Sequence, residues 1–100
     1  MLHTKIIDSN KDKILISKAD EFIKSSSFGA SIYFLGTVRN INENKKVTGI
    51  TYDVHDEMVL KSFTEIYSEA NQKLGIKEKA VFIEHIKGYV GLGDISIIIA

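Results

Sequence analysis

The residues best suited to chemistry lie in Phe34-Leu35-Gly36-Thr37-Val38-Arg39 and the polar stretch that follows. A strand that ends in Gly-x-Val-Arg delivers one guanidinium to the mouth of a loop. Guanidinium keeps its charge at any ordinary pH, and its planar fork of donors matches phosphate or carboxylate. The loop from Asn40 to Lys46 adds two more cations, Lys45 and Lys46. Together these groups suit an anionic ligand. The plain alternatives are a surface salt bridge for Arg39 and a solvated loop tip for the two lysines.

His85, between Glu84 and Ile86, is the next candidate. A neutral imidazole can act as acid, base or ligand, though a hydrogen-bonded structural histidine would sit in the same place. Lys87 falls on the same side of a regular strand as His85, so the two could form a small cationic patch. No metal site is expected. His3 and His55 are far apart, and neither H-x-x-x-H nor E-x-x-H spacing occurs. Gly88, Gly91 and Gly93 read G-x-x-G-x-G ahead of a strand, which suits turns and bulges and not a phosphate loop. No Ser-His-Asp or paired-carboxylate arrangement stands out.

The chain has 100 residues, enough for one domain, so a single domain over residues 1–100 is expected. A domain of this size buries only roughly two thirds of its unfolded surface, so a partner chain could add stability. Basic and acidic residues balance at 13 each, which argues against nucleic acid as a partner. The balance is uneven along the chain: residues 1–50 hold eight Lys/Arg against five Asp/Glu, and residues 51–100 hold five against eight. There is no cysteine, so the chain has no thiol nucleophile and no disulfide. Any sulfur chemistry must use sulfur carried by something else. No signal peptide or membrane-length apolar run is visible, which makes a cytoplasmic protein away from membranes the default.

The elements that must position these groups follow from periodicity. Lys5-Ile6-Ile7 reads as a strand. Ser17 to Lys24 reads as a helix with Ser17 as N-cap, Asp20 in its first turn, and Phe22 and Ile23 inward. Gly29 to Val38 reads as a strand apolar on both faces, hence central and covered on two sides. Val47 to Val54 reads as another strand. Glu57 to Lys73 reads as the main helix, with Asp56 as N-cap and Gly75 at the left-handed C′ position. Its Val59, Phe63, Ile66, Tyr67, Ala70 and Leu74 form one stripe at the helical period. Lys79 to Ile86 and Ile95 to Ala100 complete the set as strands. Strands that follow one another without helices between them favour α+β. Ile95 to Ala100 has one polar residue in six, so a buried strand is expected, and a chain that stops on it looks cut short.

Three blocks in order resemble the catalytic (large) subunit family of molybdopterin synthase. Gly29-Ala30-x-x-x-Phe34-x-Gly36-x-Val38-Arg39-Asn40 comes first. Lys46-Val47-x-x-Ile50-x-Tyr52-Asp53-x-x-x-Glu57-Met58 is second, and His85-x-x-Gly88 with Val90-x-x-Gly93-Asp94 is third. The resemblance spans about Gly29 to Ala100. It implies an α/β-hammerhead-like fold, with a mixed, mostly antiparallel sheet and two helices. It also implies a sulfurtransferase that makes molybdopterin for molybdenum cofactor biosynthesis. A small ubiquitin-like subunit would bring sulfur as a C-terminal Gly-Gly thiocarboxylate. Cyclic pyranopterin monophosphate would receive two sulfurs in succession, within a heterotetramer built on a homodimer of large subunits. No bound cofactor is expected. Arg39 matches the position the family uses in the substrate pocket, and Thr37 and Val38 would line the same strand end. Phe34 matches a family aromatic whose role could equally be packing, while Lys45, Lys46, His85 and Lys87 are possible lining residues. Two departures accompany the match. The family reads His-Arg-x-Gly where this chain has His85-Ile86-Lys87-Gly88, which moves the cation to the other side of a regular strand. The family's catalytic lysines belong to a segment beyond Ala100, so the 100-residue chain alone is expected to be inactive. A non-catalytic, dimeric anion-binding or assembly module of similar topology is the alternative.

Overall fold

A computed structural model describes residues 1–25, 28–39, 41–42, 45–46, 48–75 and 79–100, with only the backbone described at 41, 42, 45 and 46. The order is β1 (Leu2–Asp8), α1 (Ile16–Ile23), β2 (Phe34–Thr37), β3 (Ile41–Asn42), β4 (Lys45–Lys46), β5 (Gly49–Tyr52), α2 (Asp56–Leu74), β6 (Val81–Gly91) and β7 (Ile95–Ile99). The expected α+β class holds.

β6 organises the sheet: Phe82, Ile83 and Ile86 are apolar and buried on both of its faces, so it needs cover on both faces and partners on both edges. β1 runs parallel to it, from Leu2 opposite Val81 to Asp8 opposite Lys87. β7 runs antiparallel to β6, and β2 antiparallel to β7, which gives the order β1-β6-β7-β2. β5 pairs antiparallel with the far end of β6, from Gly88 to Gly91. β3 and β4 form a separate two-stranded ladder. One parallel pair among antiparallel ones is the mixed, mostly antiparallel sheet expected.

The exchange of partners along β6 depends on Gly88. Its φ is 97°, in the left-handed region, and a Cβ there would stand 2.5 Å from Ser9 Oγ. Only glycine takes that turn cheaply, at the point along β6 where the β1 pairing ends, Asp8 opposite Lys87, and the β5 pairing begins, Tyr52 opposite Gly88. The bulge or turn expected at Lys87-Gly88 is therefore a kink inside a continuous strand.

α1 packs on β6 over a core of Ile7, Ile14, Ala19, Ile23, Val38, Phe82, Ile86, Val90 and Ile98. Ile23 is buried and Phe22 packs against the cluster, as the sequence predicts. The capping differs. α1 starts at Ile16 from an extended Leu15 with no side-chain cap, so Ser17 lies inside the helix and its first turn holds no acid. Buried Ile14 anchors the chain just before the helix, and the first turn forms two residues earlier than a Ser17 cap would give.

α2 packs on β1, and Lys87 reaches Asp56 at its first turn, so α2 lies on the face opposite buried Ile86. Its N-cap is His55, whose Nδ1 accepts from the Met58 N–H at 3.4 Å. Asp56, expected as the cap, is the first helical residue. There its carboxylate still favours the helix dipole. Gly75 sits at φ 62° and donates to the Asn71 carbonyl, which is the C′ geometry predicted. The apolar stripe is only half used: α2 has no buried residue, and Ile66 and Leu74 are exposed.

The largest correction concerns residues 29–38. The strand is only Phe34–Thr37, and it lies at the end of the sheet order. Ile32 is 82% exposed and Phe34 57%, so apolar character on both faces does not reflect burial within this chain. β7 likewise buries one face, Ser96 and Ile98, and leaves Ile99 exposed. The predicted strand over 47–54 is shorter, Gly49–Tyr52; Val47 is outside the described residues.

The approach to β2 is tied to α1 by a hydrogen bond from the Tyr33 hydroxyl to the Asp20 carboxylate. That bond, then burial and the nearby charge of Asp20, raises the phenol above its ordinary value of 10.0. A phenol raised in the fold contributes stability that is full below its unfolded value and is lost as pH rises through the folded one. Asp20→Ala should therefore shift the Tyr33 ring titration, followed by NMR, down toward pH 10. An unmoved midpoint would show that the bond does not form in solution.

Candidate functional site

The exit of β2 is shaped by a bulge. Gly36 pairs with Ile97, but Thr37 pairs with Ile95, so Ser96 is the extra residue on β7. Ser96 turns inward and its hydroxyl donates to the Gly36 carbonyl at 3.2 Å. Gly36 permits the close approach, since a Cβ there would stand 2.6 Å from Ile97 Cγ2. A bulge re-aims the chain beyond it. Here it delivers buried Val38 into the core and leaves Thr37 and Arg39, on either side, exposed.

Val38 is fixed by two backbone bonds to the β6–β7 turn. Its N–H donates to the Asp94 carbonyl at 3.2 Å, and its carbonyl accepts from the Gly93 N–H at 2.8 Å. Arg39 therefore springs from an immobilised residue. Phe34 does not serve core packing, because its side chain is exposed at the sheet edge. It lines an open apolar hollow of about 590 Å³ with Phe28, Ile32, Ile99 and Ala100. Lys45 and Lys46 form β4, so the loop predicted between Asn40 and Lys46 contains a short ladder; Asn40, Glu43 and Asn44 lie outside the described residues.

His85 and Lys87 do not form a free cationic patch. The Lys87 ammonium pairs with the Asp56 carboxylate at 3.1 Å. His85 Nδ1 lies 2.7 Å from the Ile86 carbonyl, which can only accept, so Nδ1 carries a proton. The imidazole stands edge-on to Tyr52 at 5.2 Å. β1 pairs with β6 in unbroken register through Lys87, so no bulge returns the cation to the side of Ile86. Ile86 itself is buried, and it lines a second hollow of about 550 Å³ with Asp12, Lys13, Ile14, Tyr89 and Asp94. The Lys13 N–H and then the charge of Lys18 hold the Asp12 carboxyl below its ordinary value. Among the described residues no three His, Asp or Glu side chains gather at a metal-binding distance.

Sequence reading missed the His3–Glu84 pair. Glu84 is buried, His3 Nε2 lies 2.9 Å from its Oε2, and the imidazole stacks on Phe82 at 4.4 Å. The signal was present: strand alternation puts Glu84 on the same face as Phe82 and Ile86.

A family model described as MoaE protein matches residues 9–100. The chain belongs to the MoaE family. Among curated MoaE relatives, the molybdopterin synthase catalytic subunit of Synechococcus elongatus is 36% identical over 86 residues, covering 86% of this chain and 52% of that protein. The human molybdopterin synthase catalytic subunit is 34% identical over 95 residues, covering 95% of this chain and 50% of that one. The MoaE fold is shared with molybdopterin synthase from Staphylococcus aureus, at a TM-score of 0.81 and 26% identity over 94% of this chain and 65% of that one. The chain thus spans about half the length of these two curated relatives.

Proposed function

We propose that this chain is the substrate-holding part of a molybdopterin synthase catalytic subunit, a sulfurtransferase of molybdenum cofactor biosynthesis. The observation that carries the reading is the family match over residues 9–100 together with an exposed Arg39 on the bulged, clamped exit of β2. The guanidinium binds the cyclic phosphate of the pyranopterin through its donor fork. Thr37 and Val38 form the strand end beside it, and Lys45 and Lys46 add positive charge to the same segment. The chain contains no cysteine, so the sulfur arrives on the partner, as the thiocarboxylate of a ubiquitin-like subunit ending in Gly-Gly. Exposed Ile32, Phe34, Leu35 and Ile99 around the edge strand support a protein-covered surface, in keeping with a homodimer inside a heterotetramer. Among the described residues no helix is long and apolar enough to cross a membrane, which accords with a cytoplasmic setting. The part assigned to these 100 residues is binding, and proton transfer is assigned to none of them.

The test is reconstitution. Mixed with a thiocarboxylated Gly-Gly partner and cyclic pyranopterin monophosphate, the full-length protein is expected to form molybdopterin. The 100-residue chain is expected to retain the partner in a pull-down and form no product. Product from the short chain would assign proton transfer to lysines within it, Lys45, Lys46 or Lys87. Failure of both forms to retain the partner would leave the alternative, a non-catalytic dimeric anion-binding or assembly module.

A further inference from the structure

The segment that carries Arg39 is fastened at both ends to one turn. Gly91 to Asp94 closes through an Asp94 N–H to Gly91 carbonyl bond of 3.1 Å. Gly93 takes φ 79° within it. The outgoing end of the segment is Val38, held by the reciprocal bonds to Gly93 and Asp94 at 2.8 and 3.2 Å. The returning end is Thr48, whose carbonyl accepts from the Leu92 N–H at 3.1 Å. The next residue, Gly49, pairs with Gly91. Four consecutive residues therefore grip the chain just before Arg39 and just after residue 47.

One side chain joins this backbone clamp. The Tyr89 hydroxyl donates to the same Thr48 carbonyl at 3.2 Å, so that oxygen takes two donors. The ring lies against Gly49: a Cβ there would stand 2.3 Å from the Tyr89 ring carbon and hydroxyl. Glycine at 49 is what lets the ring lie there. Tyr89 is 55% exposed, so the core does not require it. Its placement makes sense as a latch on the returning end.

We infer that Tyr89 and the 91–94 turn form a two-point clamp that presets Arg39, and that Tyr89 is a positioning residue for anion binding by Arg39. The inference rests on the reading that Arg39 holds the phosphate. A guanidinium on a segment free at one end must be ordered when the ligand binds. With Val38 and Thr48 both gripped before any ligand binds, less of the binding energy goes into ordering those two ends.

Tyr89→Phe removes the hydroxyl and keeps the ring, the turn and all backbone bonds. One hydrogen bond of ordinary strength predicts a loss of roughly three- to tenfold in affinity for cyclic pyranopterin monophosphate, read by calorimetry on the full-length protein. The same substitution in an Arg39→Ala background should weaken binding no further, because its effect passes through Arg39. Hydrogen exchange gives an independent reading. The Val38, Leu92 and Gly93 amides should exchange faster in Tyr89→Phe by a similar factor, with β1 amides unchanged. An equal loss of affinity in both backgrounds, or unchanged exchange at those three amides, would overturn the inference. If Arg39→Ala itself leaves affinity intact, the phosphate assignment falls, and the exchange data alone decide the clamp.

Discussion

Arg39→Ala is expected to cut kcat/KM for molybdopterin formation by roughly a hundredfold, on the scale of a charge-assisted bidentate contact to phosphate. The loss should fall mainly on KM. The phosphate is not the part of the pterin that gains sulfur, so a guanidinium bound to it stabilises substrate and transition state alike. Arg39→Lys keeps the charge and loses the planar fork, and about a tenfold loss is expected for it. Either substitution should keep the strand exit in place, because the bonds that fix it belong to the backbone of Val38. Steady-state kinetics of the full-length protein with thiocarboxylated partner decide the matter. Full activity in Arg39→Ala would remove Arg39 from the site. A fall in kcat at constant KM would place it instead at the reacting carbons.

That prediction depends on a geometry only partly legible in the sequence. Strand and helix periods gave the class, the α2 range and the Gly75 cap, because those signals are local. The pairings of β6 were not legible. Its partner changes at Gly88, which turns in the left-handed region close against Ser9, a residue 79 positions earlier in a chain of 100. The two-faced apolar pattern of residues 29–38 was misleading for a different reason. Apolarity reports that a surface is to be covered, and it does not say by which chain. The segment supplies an edge strand with Phe34 and Leu35 exposed on it and Ile32 exposed just before it. The bulge at Ser96 was hidden too, since it arises from register between β2 and β7 and not from any turn residue. Arg39 could be singled out from its neighbours in sequence; the two-ended grip on its segment could not, because Val38, Thr48, Tyr89 and Gly93 meet only in the fold.

The buried acid on β6 carries the second large prediction, and it concerns stability. Glu84 is 3% exposed. Its Oε2 has His3 as partner at 2.9 Å, while Oε1 has none among the described residues. Buried polar atoms are nearly always bonded, and an orphan oxygen keeps the full cost of leaving water. The two residues should therefore respond unequally. His3→Ala leaves both carboxyl oxygens without a partner and also removes the ring stacked on Phe82. A loss of about 3 kcal/mol is expected, on the scale of stripping one member from a buried pair. Glu84→Leu removes the orphan together with its partner bond and fills similar space between Phe82 and Ile86. It should be neutral or stabilising by about 1 kcal/mol, as apolar replacements of buried polar pairs often are. Denaturant melts of the two variants distinguish these outcomes, with the midpoint read at constant slope. Comparable losses from both would mean that the carboxyl group adds net stability to β6. A stabilised Glu84→Leu would mean that the fold keeps this acid at a cost. Its interaction with His3 would then lie mainly in fixing the register of β1, since His3 stands directly opposite Phe82 and a one-residue slip would turn its ring to the other face.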